Sequence, residues 1–106
     1  MAKARLSISN DQATELCELF RLMSDASRLR IVVACLNKPR CVSDIATETK
    51  LSPTLVSHHL RLLRGTRMVR AERKGRQVFY VATDERVQCI IVDMIDHLAE
   101  LDREEA

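Results

Sequence analysis

The stretch LSPTLVSHHLRLLRG, residues 51–65, decides the fold, because it carries a helix start, a helix end and two different faces between them. Ser52 is a good N-cap, Pro53 suits the first helical position where its missing N–H costs nothing, and Gly65 suits the C-terminal cap. The predicted helix is about three turns long. Leu55, Val56, Leu60 and Leu63 form its buried side and leave Thr54, Ser57, His58 and Arg61 outward. Such a short, polar, hydrogen-bonding set suits a helix that enters the major groove of DNA.

The flanking residues fit the same picture. Upstream, VSDIATETK reads as a short helix with Ile45 and Ala46 inward, joined to the first by KLS, so the pair forms a helix-turn-helix. Lys50 occupies the turn position where a glycine would more readily adopt a left-handed conformation. Downstream, MVRAERKGRQVFYVA alternates apolar Met68, Val78 and Tyr80 with charge, and RKGR breaks it into a hairpin around Gly75. The tip carries Arg73, Lys74 and Arg76 with only Glu72 against them, which marks the hairpin as a wing against phosphate or minor groove. Thr54, Ser57, His58 and Arg61 are the expected base and phosphate contacts. Ser52, Arg64, Arg73, Lys74, Gly75, Arg76 and Gln77 support them.

Charge is segregated along the chain to the same effect. Residues 1–49 are close to neutral, residues 50–80 hold eight Lys or Arg and one Glu, and residues 81–106 hold two Arg and eight Asp or Glu. A basic block framed in this way calls for a polyanion partner, since phosphate contacts supply most non-specific affinity for nucleic acid. A solvated basic face or a membrane surface would also accept such charge, and the helix-turn-helix with its wing favours DNA.

The remaining segments read as helices. One is capped by Ser9 or Asn10, with Ala13, Leu16, Leu19, Phe20 and Met23 on one face; the next starts near Ser24 or Asp25, with Leu29, Val32, Val33 and Leu36 inward, and ends before Pro39. The last starts at Thr83 or Asp84 and carries Val87, Ile90, Ile91, Met94, Ile95, Leu98 and Leu101 in one broad stripe. That stripe exceeds what a small domain can cover, so the expected assembly is a homodimer through the first and last helices, presenting two recognition helices to a palindrome. The expected fold is therefore mainly α with a small β-hairpin, a winged helix-turn-helix in a single domain over 1–106. No apolar run approaches a membrane span and the start lacks the apolar segment of a secretory signal, so a cytoplasmic protein is expected. Cys17, Cys35, Cys41 and Cys89 fall at no zinc-finger or CxxC spacing and read as free thiols. Ser57 beside His58 and His59 makes no nucleophile pair, because helix neighbours point apart, and no enzyme is expected.

DASRLRIVVACL, CVSDIA, LSPTLVSHHLRLLR and RKGRQVFYVATD, followed by the DHLAE helix, resemble the ArsR/SmtB family of bacterial metal-sensing repressors over nearly the whole chain. The resemblance implies a dimer that binds double-stranded operator DNA without a cofactor and releases it when an inducer binds: zinc, another transition metal, or arsenite. In the zinc-sensing members the last helix supplies an Asp and a His two apart, and a His and a Glu three apart from the partner's copy. Asp84, His97 and Glu100 stand in those positions, but Arg86 replaces the fourth ligand, and arginine has no lone pair to give. Three protein ligands and a water would bind zinc more weakly. Relatives that sense soft metals carry CVC where this chain has Cys41 and Ser43, so Cys41 needs a recruit such as Cys17 or Cys35. Others sense oxidants or persulfides through cysteines on the second and last helices, which Cys35 and Cys89 loosely match. A DNA-binding dimer without any ligand is the remaining alternative.

Overall fold

A computed structural model describes residues 6–36, 38–83 and 85–105, which form five helices and three short strands. In chain order these are α1 (Asn10–Met23), α2 (Ala26–Ala34), β1 (Arg40–Cys41), α3 (Val42–Thr49), α4 (Pro53–Gly65), β2 (Val69–Lys74), β3 (Gln77–Ala82) and α5 (Glu85–Glu105).

The helix starts follow local chemistry. Ser9 caps α1 in a reciprocal box with Gln12, the Asp25 carboxylate accepts from the Arg28 amide at 3.0 Å, and Ser52 Oγ accepts from the Leu55 amide at 3.1 Å. Each satisfies an amide that the helix itself leaves without a partner. Lys50 takes φ 61° at the end of α3, the left-handed turn expected there, and its N–H donates to the Ala46 carbonyl. The end of α4 differs from expectation. Gly65 is still helical, Thr66 is the cap, and the left-handed residue is Arg67 at φ 63°. Thr66 Oγ1 donates to the carbonyls of Leu62 and Leu63, and the Met68 amide donates to Leu63, so carbonyls at the end of α4 are met without a glycine.

The sheet has one strand more than the hairpin alone. Its order is β1-β3-β2, all antiparallel, with Arg40 opposite Tyr80 and Lys74 opposite Gln77 across the two-residue turn Gly75–Arg76. Gly75 sits at φ 63°, which supplies the positive φ that a tight hairpin needs. The Ala82 amide donates to the Cys35 carbonyl and ties the inner strand to α2.

Ile31, Val32, Cys35, Ile45, Val56, Leu60 and Leu63 are fully buried and pack with Met68 and Val69 beneath the helix-turn-helix. Burial of each large aliphatic side chain contributes about 1.5–3 kcal/mol. Three assignments of inward residues change here. Ile31 is buried whereas Leu29 and Val33 are exposed, Leu55 is exposed, and the residue that takes its place in the core of α4 is His59. Neither α1 nor α5 buries a single side chain. Leu16, Phe20, Ile90, Met94, Ile95 and Leu98 are all exposed along an apolar groove of about 360 Å³ between them. Among the described residues, no helix is long and apolar enough to cross a membrane.

Candidate nucleic-acid interface

The buried side of α4 fixes what its other side presents. With Val56, His59, Leu60 and Leu63 held in the core, Thr54, Ser57, His58, Arg61 and Arg64 are all exposed, as the sequence predicts. Ser57, Arg61, Arg64 and Gly65 line an open concavity of about 510 Å³ together with Tyr80 of β3. Tyr80 is the functional candidate that sequence reasoning placed only in a strand; it was the single tyrosine in an alternating run, and nothing in that run says which helix it faces.

The wing that follows α4 carries its own cations. Arg70 pairs with Glu72 at 3.6 Å, so the one acid of the hairpin is engaged away from the tip. Arg73 Nε donates to the Gly75 carbonyl at 3.4 Å and Lys74 Nζ stands 5.8 Å from the Phe79 ring centre, which orders both side chains at the tip. Arg76 and Gln77 are exposed beside them. Arg67, which follows α4, is also exposed.

The two histidines of α4 have opposite environments. His58 is exposed, while His59 is only 7% exposed and its Nδ1 is buried with no hydrogen-bond partner in the structure. Burial pushes the His59 imidazole below the ordinary histidine range; Asp25 opposes this, and Arg28 and His58 add to it. The neutral form is therefore the one that α4 carries in its packed position.

The sensing candidates are dispersed. Cys41 is half-buried at the start of α3, with Sγ 3.2 Å from the Ser43 hydroxyl; Cys17 and Cys89 are exposed on α1 and α5; Cys35 is fully buried. Burial raises the Cys35 thiol to about 11, with Arg40 opposing and Glu48 reinforcing the shift. Such a thiol is little reactive toward oxidants or electrophiles at neutral pH. His97 and Glu100 are exposed one turn apart on α5, and Asp84 lies outside the described residues. Among the described residues of one chain, no group of three or more His, Cys, Asp or Glu is arranged to hold a metal.

A helix-turn-helix whose second helix exposes a polar face beside a cationic hairpin defines a winged-helix DNA-binding regulator. Residues 25–71 match the model of the arsR family of bacterial regulatory proteins. The chain is 41% identical over 95 residues to a transcriptional repressor SmtB homolog from Synechocystis sp., covering 90% of this chain and 72% of that one. The chain belongs to this family. Its fold is similar to the crystal structure of the AntR antimony-specific transcriptional repressor, with TM-score 0.79 and 27% identity over 93% of this chain and 90% of that one. It also resembles the homodimeric winged helix-turn-helix domain of Mb0332 from Mycobacterium bovis, with TM-score 0.76 and 23% identity over 96% of each chain.

Proposed function

We propose that the protein is a transcriptional repressor that binds operator DNA as a homodimer and leaves it when a metal ion binds at the last helix. One observation carries the DNA reading: α4 packs on β2 of the hairpin, exposes Ser57, Arg61 and Arg64 around one open concavity, and is followed by a wing tip that exposes Arg73, Lys74 and Arg76. Ser57, His58 and Arg61 face base edges, with Thr54 and Arg64 beside them, while Arg73, Lys74 and Arg76 meet phosphate. Ser52 and Gln77 frame this surface. The exposed groove between α1 and α5 supports a second copy as its cover, and the similarity to a homodimeric domain agrees with that.

The donor chemistry of α5 fits a weak metal site. His97 and Glu100 are exposed nitrogen and oxygen donors, the partner's Asp84 would supply a third, and Arg86 supplies none. A metal there contributes charge that favours one arrangement of the dimer over another. The route to DNA runs through this chain's own contacts. The Thr83 amide donates to the Met68 carbonyl and the Thr83 hydroxyl to the Arg67 carbonyl, directly after α4, so a shift at the start of α5 moves the end of the recognition helix.

Fluorescence anisotropy of the reduced protein on the DNA upstream of its own gene tests the reading, with Zn(II) titrated in a metal-free, weakly chelating buffer. Tight, salt-sensitive binding that is lost at stoichiometric zinc is expected. Binding that persists through zinc would move the inducer to arsenite or a thiol-directed species at Cys41; failure to bind the duplex at all would overturn the repressor reading.

A further inference from the structure

Two cations outside the basic block, Arg30 and Arg40, line a second cavity of about 490 Å³ together with Lys50 at the block's start, and this cavity shares no lining residue with the concavity of α4. Arg30 comes from α2, Arg40 from β1 and Lys50 from the left-handed turn before α4, above a floor that includes Val33 and Ala34. Glu48 is the only acid in the lining. It pairs with Arg40 at 3.2 Å and fixes that guanidinium along α3, while Arg30 and Lys50 make no ion pair among the described residues. Thr49 donates its hydroxyl to the Ile45 carbonyl and so adds no charge of its own. Arg30 and Arg40 lie in the part of the sequence that is close to neutral overall, so only the fold gathers them with Lys50.

We infer that this cavity, lined by Arg30, Arg40 and Lys50 with a single, engaged carboxylate, is a binding site for a phosphate-class oxyanion. Two guanidinium groups match the geometry of tetrahedral oxyanions, and a lysine adds a point charge. Lys50 stands two residues before the cap of α4, so a backbone phosphate of bound DNA is one source of the anion, and a free oxyanion is the other. The DNA source rests on the repressor reading above; the oxyanion site does not.

The test uses the whole protein and two probes. Inorganic pyrophosphate is titrated against the uniformly labelled chain by NMR, and in parallel the salt dependence of binding to a long upstream duplex is measured. Lys50→Gly suits the left-handed turn without strain and Arg30→Gln changes an exposed side chain, so the double variant keeps the fold. Pyrophosphate is expected to perturb the amides around Arg30, Thr49 and Lys50, to bind at least fivefold more weakly to the double variant, and to bind more tightly to Glu48→Gln. A salt slope reduced by about one to two units in the double variant, at ~0.9 per phosphate contact, identifies the anion as DNA phosphate. An unchanged slope with pyrophosphate bound identifies a free oxyanion and excludes the DNA source. Absence of any pyrophosphate effect at Arg30 and Lys50 would overturn the site and leave Lys50 merely offsetting the carbonyl end of α3 and Arg30 solvated, whether or not the protein binds DNA.

Discussion

The Thr83 hydroxyl donates to the carbonyl of Arg67, the left-handed residue that follows α4, and so ties the entrance of α5 to the exit of the recognition helix. The Thr83 amide reinforces the tie through Met68, and Gln88 Nε2 adds a contact to the Ala82 carbonyl from the first turn of α5. An inducer bound on α5, as proposed above, would therefore have a short physical path to DNA on α4. Thr83→Val keeps the shape of the side chain and removes the hydroxyl. Its expected effect is near-normal DNA affinity without metal and a metal response weakened several-fold, read as the ratio of duplex affinities with and without zinc. An unchanged ratio would show that the coupling takes another route.

Salt dependence separates positioning from recognition at the main interface. Arg73→Ala, at a phosphate contact, should weaken duplex binding and lower the slope of log K against log salt by about 0.9, whereas Arg61→Ala, at a base edge, should weaken binding and relax sequence preference with a smaller change of slope. Unaltered binding in both variants would displace the interface from α4 and the wing. Tyr80→Phe, with the ring kept, tests whether this wall of the concavity contributes its hydroxyl, and a modest loss of affinity is expected.

Acid should loosen the recognition helix through His59. In the fold, burial holds the imidazole neutral, with Asp25 favouring and Arg28 and His58 disfavouring its charge, whereas the unfolded chain titrates at the ordinary value of 6.5. Below that pH the unfolded state binds more protons, so the contribution is complete above about 6.5 and is lost as pH falls toward the lower folded value. Thermal unfolding between pH 7.5 and 5 should show a declining midpoint for the native chain. His59→Gln should flatten that decline over the same window, and an equal decline in both would assign the acid sensitivity to other groups.

Arg86 is the point where α5 departs from the zinc-sensing pattern. Its guanidinium donates and never accepts, so replacing it by an imidazole adds a ligand of the right class. Competition against a chromophoric chelator should report zinc affinity raised at least tenfold in Arg86→His. No change would remove the Asp84, His97 and Glu100 set from consideration as the metal site.

Legibility in the sequence followed the range of the interactions involved. Caps and turns are decided within four residues, and Ser9, Asp25, Ser52, Lys50 and Gly75 all act as their local chemistry predicts. The two-residue strand β1 has no period to detect, since Arg40 and Cys41 become a strand only because β3 lies beside them. In α2 the run RIVVACL is apolar on every side, so periodicity could not choose Ile31 over Leu29 and Val33. His59 received no face from the sequence, because packing in the fold rather than its residue type decides its burial. At the candidate site, the outward residues of α4 and the wing were readable from one helix and one hairpin, whereas Tyr80 and the cavity of Arg30, Arg40 and Lys50 needed tertiary placement.

The groove between α1 and α5 makes the last prediction. Phe20, Ile90, Met94 and Leu98 are each more than half exposed, an apolar surface that a soluble chain rarely leaves open. A second copy covers it in the proposed assembly, and charge at Leu98 should separate the copies without touching the core under α4, because α1 and α5 pack on that core through Leu19, Met23, Val87 and Ile91 while Leu98 is exposed. Leu98→Lys should shift sedimentation from dimer to monomer while helix content stays near that of the native chain. Duplex affinity should then fall by a hundredfold or more, since each monomer binds one half-site without the effective concentration its partner provides. A variant that sediments as a monomer yet binds the duplex as tightly as the native chain would sever dimerisation from operator recognition, and one that stays dimeric would place the interface elsewhere.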